Sequence, residues 1–205
     1  MKSFNNKVAA ITGAGSGMGR ALATSLASRG CHLGLADNNK SALEETAENC
    51  RTYNVDVTTY NVDVSNKDSV YTFADDAVRD HNHVNLVFNN AGVSLTDNVE
   101  HMTYQDFNWL MDINFWGVVY GSKAFLPHMQ KVEEAHIVNT SSIFGTIAVP
   151  SQSAYNASKF AVRGFTYALR MELEKTHINV SCVQTGGVKT NIVMDSRYFA
   201  PDNAA

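Results

Sequence analysis

Val8-Ala9-Ala10-Ile11-Thr12-Gly13-Ala14-Gly15-Ser16-Gly17-Met18-Gly19-Arg20 is the stretch that decides the fold. Its first five residues are mostly apolar and free of breakers, the pattern of a strand covered on both faces. Four glycines in the next seven positions turn the chain tightly. Met18, Leu22 and Leu26 then recur at helical spacing up to a glycine stop at Gly30. A glycine turn between strand and helix lets backbone approach a pyrophosphate, and the helix offers it free N–H groups and a positive dipole end. Gly13, Gly17 and Gly19 follow Gly-x-x-x-Gly-x-Gly, whereas Gly-x-Gly-x-x-Gly would need a glycine at Met18. The plain alternative is an ordinary glycine-rich turn, and the placement between strand and helix favours a nucleotide.

The same alternation continues along the chain. Strands are predicted over 31–36, within 54–64, and over 84–88, 135–139 and 178–183. Helices are predicted over 40–50, from a cap at Ser65 or Asn66 to about 80, over 104–131 with a bend near Gly117, and over 153–175. Six strands alternating with helices predict parallel βαβ units in an α/β, doubly wound parallel sheet, Rossmann-like, with helices on both faces. No repeat, linker or low-complexity tract divides the chain, so residues 1–205 are expected to form a single domain.

Composition narrows the partners. Apolar residues make up 44% of the 205 and charged residues 18%, below the roughly 25% of an average domain, so a large core is expected. Sixteen basic against twenty acidic residues give a net charge of −4, which argues against nucleic acid and anionic membranes. No run reaches the roughly 18 apolar residues of a membrane span, and residues 1–7 lack a secretion signal. Cys31, Cys50 and Cys182 are too widely spaced for a metal or disulfide framework, so reduced thiols and a cytoplasmic location are expected. His81 and His83 lack a third ligand and read as a solvated loop, with no metal expected.

In such a sheet the ligand lies beyond the carboxyl ends of the strands, where strand order reverses. Asp37 closes the second strand 24 residues after Gly13, where a carboxylate can accept ribose hydroxyls and repel a 2′-phosphate. Asn38 and Asn39 supply no cation for such a phosphate, and the nearby Arg20 is expected to point along its helix. Asp63 follows the third strand and Asn89-Asn90-Ala91-Gly92 the fourth, residues equally suited to turns or to an adenine and ribose rim. Tyr155 and Lys159 share a helix face, with Ser142 thirteen residues earlier at the end of the fifth strand. A cation beside a phenol favours phenolate, so Lys159 is expected to lower the Tyr155 pKa from its ordinary value near 10. Asn114, a mediocre helix former, is expected to make a local irregularity that turns a carbonyl toward the site.

Taken together, Thr12-Gly13-x-x-x-Gly17-x-Gly19, Asp37, Asp63, Asn89-Asn90-Ala91-Gly92, Asn114, Ser142 and Tyr155-x-x-x-Lys159 resemble the short-chain dehydrogenase/reductase family over about residues 5–195. The resemblance implies an oxidoreductase moving a hydride between NAD, with NADP the less favoured cofactor, and a secondary alcohol or ketone. It implies catalytic roles for Asn114, Ser142, Tyr155 and Lys159. Tyr155 would be the acid/base, Lys159 would lower its pKa and hold the nicotinamide ribose, Ser142 would orient the substrate oxygen, and Asn114 would hold a relay water. The implied cofactor contacts are Gly13, Ser16, Gly17, Met18, Gly19, Asp37, Asp63, Val64, Asn90, Ala91, Gly92, Gly186, Val188 and Thr190, with Tyr155 and Lys159. The sequence departs from the family where Pro-Gly is usual and Thr185-Gly186 stands. It is also expected to lack the family's last helix and strand, with Met194, Tyr198 and Phe199 as possible lid residues.

The aromatic faces of the two long helices, including Trp116, Tyr120, Phe160 and Phe165, resemble the surfaces through which this family dimerises, so a homodimer or homotetramer is expected. A catalytically impaired nucleotide-binding sensor or dimer partner is the alternative. A methyltransferase would share the glycine turn and Asp37 but gives no reason for Ser142, Tyr155 and Lys159.

Overall fold

The computed structural model describes residues 3–188, 192 and 196–198. In chain order the elements are β1 (Val8–Thr12), α1 (Gly17–Ala27), β2 (His32–Asp37), α2 (Lys40–Arg51), β3 (Val57–Asn61), α3 (Lys67–His81), β4 (Leu86–Asn89) and β5 (Leu95–Thr96). There follow α4 (Tyr104–Met111), a π-helical turn (Asp112–Trp116), α5 (Gly117–Met129), β6 (Ala135–Ser142), a 3-10 turn (Ile143–Gly145), α6 (Ser153–Glu172), β7 (Ile178–Thr185) and β8 (Arg197–Tyr198).

The sheet runs in the order β3-β2-β1-β4-β6-β7, with every pair parallel, as the alternation predicts. Order reverses between β1 and β4, so the loops after those strands face each other across a crevice. Side chains of β1 alternate between two cores. Val8 and Ala10 join a cluster with Phe73 of α3, Phe125 of α5 and Leu169 of α6. Ala9 and Ile11 join another with Leu26 of α1 and Leu43 of α2. A period of two in a strand covered on both sides therefore divides the helices between the sheet's faces.

The structure refines the sequence reading at one place, adds to it at another and corrects it at a third. The bend expected near Gly117 is a π-helical turn ending just before it, and Gly117 packs so tightly that an added Cβ would sit 3.1 Å from Val64 Cβ. β5 and β8 form a separate parallel ribbon, pairing Leu95 with Arg197 and Thr96 with Tyr198, that periodicity does not reveal. His81 is no solvated loop residue: it is buried at the end of α3, with Nε2 2.7 Å from Thr58 Oγ1. Among the described residues no group of three His, Cys, Asp or Glu is placed to hold a metal, and no helix is long and apolar enough to cross a membrane. The three cysteines are free thiols.

Candidate active site

The glycine turn is locked against the end of β4. Thr12 Oγ1 accepts from the Asn90 N–H (3.0 Å) and the Ala91 N–H (3.1 Å), and Asn90 Nδ2 donates to the Thr12 carbonyl (3.1 Å). Gly13 lies at φ +67° and Gly17 at +51°, conformations that favour glycine. A Cβ on Gly19 would lie 2.0 Å from the Gly13 carbonyl oxygen, so only glycine lets α1 begin this close to the turn. The first turn of α1 has no acidic residue, and the Ser16 side chain makes no capping bond. Its amide groups are thus left for an anion. Asn90 Oδ1 is buried without a partner. An open amide cluster and an orphaned acceptor fit the phosphates and ribose hydroxyls of a dinucleotide.

Asp37 braces the turn from behind: Oδ2 accepts from the Gly15 N–H (2.8 Å) and Oδ1 from the Asn39 N–H (2.9 Å). Arg20 does not point along its helix as expected. It folds back, donating to the Gly15 carbonyl through Nη2 (2.6 Å) and Nε (3.1 Å), and pairs with Glu45 at 2.8 Å. Two accepting carbonyl and carboxylate groups within reach outweigh the helical direction. Asp63 is exposed and accepts from the backbone and hydroxyl of Ser65 (2.9 and 2.7 Å), while Val64 packs against Gly117.

At the other end of the crevice, β6 delivers Ser142 and α6 delivers Tyr155 and Lys159. Both α6 residues are on one face, with Lys159 Nζ 5.5 Å from the Tyr155 ring centroid. Nζ is buried and donates to the Thr140 carbonyl (3.1 Å). Burial brings the Lys159 pKa down from 10.5 to about 8. The expectation that Lys159 lowers the Tyr155 pKa is not met. Burial pushes the phenol above its ordinary value of 10.0, opposed by the neighbouring Ser142 hydroxyl. The amine donates to the Thr140 carbonyl, and desolvation of the phenol dominates.

Asn114 lies in the π-helical turn and is fully buried. Its Oδ1 accepts from the Val93 N–H (2.8 Å), and Nδ2 donates to the Val93 carbonyl (2.9 Å) and to Ser158 Oγ (3.3 Å). The expected irregularity is present, a π turn of the kind often found at functional sites. The side chain also ties the loop after β4 to α6.

Sequence reasoning missed Asn156. Its Nδ2 donates to the Phe144 and Ile147 carbonyls (both 2.7 Å), and its Oδ1 accepts from the Val149 N–H (3.2 Å), fixing the loop beside Ser142. An asparagine at a buried position inside a helix was the available signal. The clamp that the Thr12 hydroxyl makes between β1 and β4 was also missed, because its partners Asn90 and Ala91 are distant in sequence.

Three adjoining cavities trace the crevice. One is lined by Gly13, Ser16, Gly17, Met18, Asn90, Ala91 and Gly92. The next brings Met18, Asn90 and Gly92 together with Ser142, Tyr155, Lys159, Gly186 and Val188. The third, about 590 Å³, opens beside Ser142 and Tyr155. Gly19 and Asp37 support the turn from behind it, and Asn114 supports Gly92, whose added Cβ would meet Asn114 Oδ1 at 3.2 Å. Thr190, Met194 and Phe199 lie outside the described residues, as does the side chain of Tyr198.

Residues 7–200 match the family described as short chain dehydrogenase. The chain is 46% identical to SadH of Mycobacterium tuberculosis over 198 residues, covering 96% of this chain and 72% of SadH. A short chain dehydrogenase/reductase from Burkholderia phymatum, solved with NAD, superposes with a TM-score of 0.92 at 39% identity, over 95% of this chain and 70% of that one. An alcohol dehydrogenase from Thermococcus sibiricus, solved with 5-hydroxy-NADP, gives a TM-score of 0.87 at 27% identity, over 95% of this chain and 82% of that one.

Proposed function

The chain belongs to the short chain dehydrogenase family, and on that premise we propose that it is an NAD-dependent oxidoreductase interconverting a secondary alcohol and its ketone. One observation carries this reading: Ser142, Tyr155 and Lys159 line one cavity, with Lys159 against the Tyr155 ring, at the end of a crevice that begins at an uncapped helix. The bound nicotinamide supplies or accepts the hydride at the substrate carbon. The protein's part is to place that carbon and to move one proton at its oxygen. In reduction Tyr155 Oη–H gives its proton to the carbonyl oxygen as the C=O bond becomes C–O. In oxidation the phenolate takes the hydroxyl proton back. A phenol kept protonated by burial suits the first of these. Ser142 would donate to the same oxygen, and Lys159, against the Tyr155 ring, would hold the nicotinamide ribose.

The donor set around the glycine turn suits NAD. Gly13, Ser16, Gly17, Met18 and Gly19 would hold the pyrophosphate, Asn90, Ala91 and Gly92 a ribose, and Gly186, Val188 and Thr190 the nicotinamide end. Asp63 and Val64 would reach the adenine. Asp37 would meet the adenosine ribose and repel a 2′-phosphate, and Arg20, the cation at hand, is paired with Glu45. Trp116, which ends the π-helical turn before α5, and Phe160 and Tyr167 of α6 are 42–44% exposed, which supports pairing of two copies through this surface.

Tyr155→Phe tests the reading. Turnover of alcohols, followed by reduced-cofactor absorbance, should vanish while NAD still binds. A variant as active as the parent would refute the assignment of the proton to Tyr155.

A further inference from the structure

The cavity beside Tyr155 has an irregular rim that the proton chemistry does not use. Gln152 occupies the N-cap of α6, a place that favours Ser, Thr, Asp or Asn, and its side chain makes no capping bond. Its Nε2 donates instead to Thr96 Oγ1 of β5 (2.7 Å). Ser151, just before it, holds φ +63°, an uncommon conformation for a residue with a side chain. That backbone is fixed by two bonds to the segment after β5: Asp97 N–H to the Ser151 carbonyl and Ser151 Oγ to Asn98 Oδ1, both 2.9 Å. Two departures from local preference at adjacent residues, fixed by the surrounding structure, are the mark of a functional position.

Gln152 and Thr96 line the same 590 Å³ cavity as Ser142 and Tyr155, whose other walls include Ile143, Phe144 and Val188. With one Nε2 hydrogen given to Thr96, Gln152 keeps a second N–H and its Oε1, and Thr96 keeps its own O–H. Donors and an acceptor are thus presented together in a mostly apolar pocket. No lysine or arginine lines it among the described residues, so its chemistry suits a neutral oxygen rather than a carboxylate or phosphate. Gln152 precedes Tyr155 by three residues, and both line this cavity.

We propose that the Gln152 carboxamide, held by Thr96, is a specificity-determining group that binds a second, uncharged oxygen of the substrate. The preferred substrate is then an apolar secondary alcohol or ketone carrying a hydroxyl or carbonyl in 1,3- or 1,4-relation to the reacting carbon. The inference rests on the dehydrogenase reading, and one assay separates the two.

Cyclohexanol, cyclohexane-1,3-diol and cyclohexane-1,4-diol are oxidised with NAD by the parent chain and by Gln152→Met and Thr96→Val. The parent should favour at least one diol over cyclohexanol by about tenfold or more in kcat/KM, the range one good neutral hydrogen bond supplies. Each variant should bring that ratio close to one, with NAD affinity serving as the check on folding. A parent that takes cyclohexanol as readily as both diols overturns the specificity and leaves the dehydrogenase standing, as does a ratio that survives both substitutions. A parent that oxidises none of the three and reduces none of the matching ketones overturns both.

Discussion

Replacing Lys159 by Met should change how stability depends on pH, by an amount the structure supplies. The amine is 3% exposed, and its pKa falls from 10.5 to about 8 because burial disfavours the cation. Below pH 8 the folded and unfolded chains both hold this proton, and the folded chain bears the full cost of a buried charge. Between 8 and 10.5 the unfolded chain holds more protons, so stability rises with pH. At about 1.4 kcal/mol per pH unit, the gain from pH 7 to pH 10 is about 3 kcal/mol. Cys31, raised to about 12, pulls the other way over the same range, because its thiol ionises first in the unfolded chain. Subtracting the variant removes that background. Denaturant unfolding at pH 7, 8.5 and 10, read by tryptophan fluorescence, should show the parent gaining about 3 kcal/mol on Lys159→Met across the series. The lost bond to the Thr140 carbonyl offsets the difference equally at every pH and leaves the slope untouched. Parallel stability curves for the two proteins would refute the claim that this lysine is held charged against its desolvation.

Gly19→Ala places a methyl 2.0 Å from the Gly13 carbonyl and 2.9 Å from Asn90 Nδ2. The start of α1 must move by about 1 Å, at about 1–3 kcal/mol of stability and a far larger loss in NAD affinity, which calorimetric titration and thermal melting would measure together. Unimpaired NAD binding would show that the turn does not hold the phosphates. Below pH 6.5 the protein should lose stability, because burial lowers the pKa of His81 and His136 and the unfolded chain takes up protons first. His81→Gln keeps a donor for Thr58 and should flatten part of that acid limb in melts from pH 7.5 to 5, and an unchanged limb would remove His81 from the account.

Much of the site could be read one element at a time. Tyr155 and Lys159 share a face because four residues are one turn of any helix, and Gly13, Gly17 and Gly19 sit where strand, turn and helix join. Asn114 announced its irregularity by being a poor helix former in a helix. The misses are of another kind. Arg20 was expected along its helix and is held by Gly15 and by Glu45 of α2. Asn156 works through a loop up to twelve residues away, and His81 meets a strand twenty-three residues back.

Residue order alone determined the alternation of strands and helices, the glycine turn and the face that carries the phenol and amine, because backbone periodicity and steric freedom act within a few residues. Tertiary structure decided what depends on distant neighbours and on exclusion of water. It paired β5 with β8, set Gln152 against Thr96, and turned the Lys159 amine to Thr140. It raised the Tyr155 pKa where proximity in sequence foretold the reverse, since the cost of desolvating a charge is settled only when the chain has closed around it.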